Sequence, residues 1–160
     1  MTDTYIFQSP VGVLTLSADE RAVTGLSFTP DASPDSFCMG KKHSDILYEA
    51  YSELREYFDG KRRVFNVPVE TGGTPFQRSV WHALCEIPYG ETRSYKDIAA
   101  RIGKPLAARA VGQANNRNPV MIIVPCHRVI GSGGELTGYA SGVYVKKFLL
   151  ELEKGAQAQP

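Results

Sequence analysis

Glu70-Thr71-Gly72-Gly73-Thr74-Pro75-Phe76-Gln77 is the stretch at which the character of the chain changes. Thr74, followed three residues later by Gln77, has the form of a capping box, in which each side chain satisfies the other residue's backbone N–H. Pro75 suits the first helical position, where its missing N–H is not needed. A helix should therefore start here, and the Gly pair before it reads as a linker. Upstream the apolar residues form short β-prone runs; downstream they recur at helical spacing. The boundary predicts a mixed α/β (α+β) chain in two domains, residues 1–70 and residues 74–155.

Moving upstream, residues 4–7, 12–17 and 22–28 read as three short strands, separated by Ser9-Pro10 and by Asp19-Glu20-Arg21. Residues 29–42 shift to Pro, Asp, Ser and Gly and read as a loop; Cys38 and His43, the one weak exception to the absence of metal-ligand spacing, read as loop residues. Leu47, Ala50, Tyr51, Leu54 and Phe58 then mark a helix that Gly60 stops. Lys61-Arg62-Arg63 reads as a solvated turn before a possible strand at residues 64–69. Moving downstream, Phe76, Val80, Leu84 and Ile87 give the first helix its inward stripe, with Trp81, His82 and Cys85 read as packing residues. A second capping box, Ser94 to Asp97, opens a helix carrying Ile98, Ala99 and Ile102. Gly103 suits its C-terminal cap, and Pro105 suits the first turn of another helix over residues 106–114. The last helix places Val145, Phe148, Leu149 and Leu152 on one stripe with Glu151 and Glu153 at its borders, and residues 155–160 read as a disordered tail.

Composition narrows the function classes. Apolar residues make up 42% and charged residues 22% of the 160, the balance of an ordinary globular chain. No apolar run is long enough to cross a bilayer and no signal-peptide layout opens the chain, so no membrane partner and a cytoplasmic location are expected. Three cysteines, Cys38, Cys85 and Cys126, without metal-ligand spacing predict neither a disulfide framework nor a bound metal. The net charge of +1 conceals an asymmetry: residues 1–70 hold 7 Lys+Arg against 11 Asp+Glu, and residues 71–160 hold 11 against 6. The second half is the one suited to a polyanion.

The chemistry concentrates in Met121-Ile122-Ile123-Val124-Pro125-Cys126-His127-Arg128-Val129-Ile130. The apolar run of four reads as a buried strand ended by Pro125, which offers no N–H. Cys126 follows, and the adjacent His127 and Arg128 could lower its pKa. An arbitrary Cys-His pair is more often a small buried thiol beside surface residues. His127 can also reach Cys126 only if the chain turns sharply after Pro125, or through a water. With a carboxylate from the last helix, Cys and His make an activated thiol nucleophile fit for acyl or alkyl transfer. Spacing alone does not choose between Glu151 and Glu153.

Pro125-Cys126-His127-Arg128-Val129, preceded by Asn118-Pro119 and by Ala107-Ala108-Arg109-Ala110-Val111-Gly112, resembles the O6-alkylguanine-DNA alkyltransferases. Ile87-Pro88-Tyr89-Gly90-Glu91-Thr92 and Tyr95 extend the match, which runs from about Phe76 to Glu153. The resemblance implies an N-terminal ribonuclease-H-like domain and a mostly helical C-terminal domain with a DNA-binding helix-turn-helix. It makes Cys126 the alkyl acceptor, His127 its base through a water, Glu153 the group that orients His127, and Asn118 part of the same network. Tyr95 would help to protonate the departing guanine. Arg109 would fill the gap left by a flipped nucleotide, with Ala107, Ala108, Ala110 and Gly112 approaching the minor groove and Ser94 on the same DNA-binding face. Tyr139, Gly138, Ser141 and Met121 would line the base pocket. The partner implied is double-stranded DNA containing O6-alkylguanine, bound by a chain that is monomeric in solution and uses no cofactor; cooperative binding along DNA stays open.

Two departures stand out. Ser141 occupies a place that is Gly in many members, and Met121 one that is Pro in some, so the size of alkyl group admitted is left open. The rival readings are a DNA-binding module without catalysis, against which Cys126, His127 and Glu153 stand together, and a cysteine hydrolase, which would leave Arg109 without a purpose.

Overall fold

The computed structural model describes residues 2–35, 45–136 and 139–158, with 156–158 as backbone only. Cys38, His43, Gly138 and residues 36–42 of the loop read from the sequence lie outside the described residues. The chain divides into two compact units, Met1–Thr71 and Gly72–Pro160.

In the first unit, β1 (Asp3–Ser9), β2 (Gly12–Ala18) and β3 (Val23–Phe28) form an antiparallel sheet in chain order. Alternation in β2 sends Leu14, Leu16 and Ala18 into the core, under Leu47, Ala50, Leu54 and Tyr57 of α1 (Asp45–Phe58). Buried Glu53 of α1 accepts the N–H groups of Asn66 and Val67 at 2.8 and 3.1 Å. Residues 64–69 are therefore not the strand read from the sequence. They make one parallel bridge, Val23 to Val69, with Val23 N–H donating to Pro68 O at 2.8 Å and Glu70 N–H to Val23 O at 2.9 Å. Pro68 has no N–H with which to extend the ladder.

In the second unit, α2 (Pro75–Cys85) starts at Thr74, whose hydroxyl accepts from Gln77 N–H at 3.1 Å while Gln77 returns a bond to Thr74 N–H at 3.0 Å. Trp81 donates its indole N–H to Ala114 O at 2.8 Å, tying α2 to α4 (Ala108–Asn116), whereas His82 and Cys85 are exposed rather than packed. Ser94 and Asp97 cap α3 (Tyr95–Arg101) reciprocally at 3.0 and 2.9 Å. A two-residue parallel pair joins β4 (Arg93–Ser94) to β5 (Val129–Ile130). The last helix, α5 (Val143–Ala158), continues through residues 155–158, which the sequence reading had assigned to a tail. The helix read over residues 106–114 begins two residues later, at Ala108, because residues 104–107 form a turn closed by Ala107 N–H on Lys104 O at 2.9 Å.

The largest departure is at residues 121–124, which form consecutive turns, not a strand. Val124 N–H donates to Val120 O at 3.0 Å, and Ile122 has a φ of 71°, a left-handed conformation unusual for a β-branched residue. An apolar run reports burial and not backbone direction, which is why it was compatible with both.

Gly73 is the linker residue under most constraint. Its φ is 84°, and a Cβ there would stand 2.6 Å from Trp81 Cζ3, whereas Gly72, at φ 63°, has open space. Gly73→Ala should lower unfolding free energy by roughly 2–3 kcal/mol, and Gly72→Ala by only about 1 kcal/mol. Denaturant titration of the two variants checks this; equal losses would mean that Trp81 does not abut the linker.

Candidate active site

Asn118 organises the backbone that presents the cysteine. Its Oδ1 accepts Val120 N–H at 3.0 Å and its Nδ2 donates to Val124 O at 2.7 Å, bracing both ends of the turn that holds Ile122 left-handed. Such a conformation costs on the order of 1–3 kcal/mol and persists because its surroundings over-determine it. Pro125 then leads into a single 3-10 turn, Cys126–Arg128, all of it buried. Asn115 donates to Cys126 O at 3.3 Å from below. The 3-10 turn is the sharp change of direction that an extended strand would not provide, and it lets Cys126, His127 and Arg128 point along three different directions.

Glu153 of α5, fully buried, gathers two of them. Its Oε2 lies 2.5 Å from His127 Nε2, and Arg128 spans the carboxylate with Nε on Oε1 at 2.9 Å and Nη2 on Oε2 at 3.1 Å. Gly90 N–H adds a further bond to Oε1 at 3.0 Å, and Arg128 Nη1 donates to Ile87 O at 2.8 Å. Burial opposes the Glu153 charge, but the hydrogen bonds from His127 and Arg128 and the Arg128 charge outweigh it and hold the carboxyl well below the usual carboxylate range. An ionised Glu153 fixes the proton of neutral His127 on Nε2 and leaves the lone pair on Nδ1, which is buried and has no hydrogen-bond partner among the described residues. Burial holds the imidazole below its ordinary pKa against the pull of Glu153, with Arg128 and Lys146 acting in the same direction as burial.

The guanidinium of Arg128 is spent on Glu153 and Ile87, so it is not the thiol-activating cation suggested by sequence proximity. Burial pushes the Cys126 thiol up, opposed by Asn118, Tyr139 and the charge of Lys146. The sequence reading missed Lys146 altogether. It is fully buried on α5, one turn before Leu149 and two turns before Glu153, with Nζ 5.9 Å from the Tyr95 ring centroid and 5.7 Å from that of Tyr139. A lysine in phase with Leu149 was the available signal. Glu151 is exposed, so burial separates the two carboxylates that spacing could not.

The remaining candidates fall into two groups. Tyr139 and Met121 are buried, and Ser141 Oγ donates to Met121 Sδ at 3.5 Å, so the loop before α5 meets the turn before Cys126. Tyr95 is half-buried against Gly112, where a Cβ would stand 3.7 Å from its ring. Burial and the charge at Cys126 both raise the Tyr95 phenol. Arg109 and Ala110 are exposed on α4, Ala107 and Ala108 are partly so, and the Ser94 hydroxyl accepts the α3 cap bond. Asn118 bonds to its own turn and toward the thiol, and none of its bonds reaches His127 or Glu153.

Glu153→Gln keeps the shape of this cluster but removes the charge that supports an imidazolium, so the apparent pKa of Cys126 should rise and its reactivity at neutral pH fall. Glu151→Gln should change neither. Iodoacetamide reactivity against pH, with Cys38 and Cys85 replaced by Ser, measures both; a rise for Glu151→Gln alone would assign the wrong carboxylate.

Comparison with known proteins agrees over the whole chain. Residues 2–71 match the ribonuclease-like domain of 6-O-methylguanine DNA methyltransferase, and residues 75–155 match its DNA-binding domain. A methylated-DNA–protein-cysteine methyltransferase of Methanosarcina barkeri is 52% identical over 153 residues, covering 93% of this chain and 95% of that protein. The crystal structure of the O6-methylguanine methyltransferase of Mycobacterium tuberculosis superposes with a TM-score of 0.87 at 45% identity, covering 100% of this chain and 97% of the other. The structure of the Mycobacterium tuberculosis protein in complex with DNA gives 0.83 at 46% identity, covering 96% and 93%. With both of its units matched and half of its residues shared with such relatives, the chain belongs to the 6-O-methylguanine DNA methyltransferase family.

Proposed function

We propose that Cys126 accepts an alkyl group from O6 of guanine in double-stranded DNA, once and irreversibly, restoring the guanine. The observation that carries this reading is a buried thiol followed in the same 3-10 turn by a buried imidazole whose Nε2 is held by an ionised, four-times hydrogen-bonded carboxylate. The relatives are named methylated-DNA–protein-cysteine methyltransferases, and this chain is an enzyme of that kind.

The chemistry follows from the side chains. A thiol pushed up by burial stays protonated at rest, so the sulfur must lose its proton as the substrate arrives. His127 Nδ1 takes it through a bridging water, and Glu153 stabilises the imidazolium that forms. The sulfur attacks the alkyl carbon; the S–C bond forms as the C–O6 bond breaks, and the electron pair of that bond passes to guanine. Tyr95, kept as a phenol by burial and by negative charge at Cys126, donates a proton to the departing base. The thioether has no route back, so each molecule reacts once, and side chains with one bridging water move every proton, so no cofactor is required.

A base atom inside a duplex is out of reach of a buried thiol, so the nucleotide must be flipped out. In this reading α3 and α4 act as a helix-turn-helix in the minor groove, where small residues at Ala107, Ala108, Ala110 and Gly112 permit close approach and Arg109 fills the vacated space. Ser94 and Tyr95 lie at the start of α3 toward the same groove, and Met121, Tyr139 and Ser141 line the pocket for the flipped base. The thioether–hydroxyl contact between Met121 and Ser141 makes that pocket narrower than a Gly at 141 would. The protein acts as a monomer in the cytoplasm, at the nucleoid when bound to DNA.

Intact-mass measurement after mixing with an O6-methylguanine duplex tests the reading. One methyl group should replace one hydrogen per molecule in the wild type and in Glu151→Gln, and Cys126→Ala should stay unmodified while binding DNA nearly as well, since phosphate contacts dominate affinity. An unmodified wild type would remove the alkyltransferase reading.

A further inference from the structure

Leu106 is the most exposed large apolar residue among those described, at 100%. It is not a loose side chain on a loose loop. Gly103, at φ 77°, ends α3 with Gly103 N–H on Ala100 O at 3.1 Å and Lys104 N–H on Ala99 O at 2.9 Å, the paired bonds of a Schellman motif. Residues 104–107 then close a four-residue turn through Ala107 N–H on Lys104 O at 2.9 Å, with Pro105 fixing φ at the second position. Pro105 and Leu106 are thus an exposed apolar tip held between two helices by five consecutive constrained residues, and holding a leucine out in water stabilises nothing in the isolated fold.

The surroundings of the tip are cationic. Lys104 and Arg109 flank it and are exposed, Lys104 lying over the Phe76 ring at 5.2 Å. From Asp97 to Glu135 the chain carries no acidic residue. A two-residue tip is far too small for a stable protein interface, which needs roughly 800 Å² on each side. A rigid apolar point flanked by two cations instead complements a surface with anions at its rim and apolar faces inside. Duplex DNA offers this in the minor groove, where phosphates line the edges and deoxyribose faces form the walls, and leucine and proline are among the residues that proteins insert there.

We propose that the Pro105–Leu106 tip is an apolar contact to the minor-groove wall of duplex DNA, contributing affinity that does not depend on salt. The inference rests on the DNA-binding reading above and adds to it a residue whose role is not electrostatic. Phosphate contacts give a binding constant that falls with salt at a slope of about −0.9 per contact, whereas an apolar contact shifts the line without tilting it.

The test uses the full chain and an undamaged duplex over a series of NaCl concentrations. Leu106→Ser should bind roughly five- to tenfold more weakly at every concentration with the wild-type slope, the fold-change expected from losing about 50 Å² of apolar burial. Leu106→Lys should steepen the slope by about 0.9 through a new phosphate contact. The thermal midpoint of Leu106→Ser should equal that of the wild type, and a drop would overturn the inference by showing that the side chain packs within the fold. Wild-type affinity in Leu106→Ser would overturn it too, as would a loss confined to binding anionic phosphatidylglycerol vesicles or to self-association in sedimentation. Failure of the wild type itself to bind duplex would overturn the DNA reading and this inference together, and is distinguishable because it precedes any variant.

Discussion

A single buried carboxylate connects the parts of the second unit that chemistry needs together. Glu153 reaches from α5 to the 3-10 turn through His127 and Arg128, and to the segment after α2 through Gly90, while Arg128 also holds Ile87. Each of these groups would be costly to bury alone, and each satisfies another. Removing one member of such a buried set typically costs about 3–5 kcal/mol, because the remaining charge is left uncompensated. The same bonds that fix the fold here also fix which nitrogen of His127 carries the proton. Stability and the electrostatics around the thiol are therefore set by one arrangement, and Arg128 acts on Cys126 only indirectly, by keeping Glu153 ionised.

Strain is placed next to this rigid cluster. Ile122 is left-handed and almost fully buried, one turn before Cys126, and Asn118 clamps the turn at both ends. A backbone so constrained leaves the thiol little freedom, which suits the proposed reaction, in which the sulfur meets a carbon in line with the bond that breaks. Lys146 completes the environment from α5, near the Tyr95 and Tyr139 rings, so that the two tyrosines and the thiol share a buried lysine.

Elements decided by local chemistry could be read from the sequence. The boxes at Thr74 and Ser94 involve residues three apart, and both helices begin where these side chains predict. The three strands of the first unit follow from alternation and from the turn residues at Ser9-Pro10, where the chain reverses between Ser9 and Gly12. Features set by tertiary contacts could not. The run at residues 121–124 is apolar whether it is a strand or a turn, and only the Asn118 bonds decide. Adjacency in sequence placed Arg128 beside Cys126, but a 3-10 turn rotates successive side chains apart. Glu151 and Glu153 are equivalent by spacing, and burial separates them.

The account depends most on the tautomer of His127, because a base for Cys126 needs its lone pair on Nδ1. Nitrogen-15 NMR of the imidazole in the full chain at neutral pH reads this directly. A neutral ring protonated on Nε2, reverting to a mixture of tautomers in Glu153→Gln, is the predicted result. A proton resident on Nδ1 in the wild type, or a tautomer unaffected by Glu153→Gln, would contradict it.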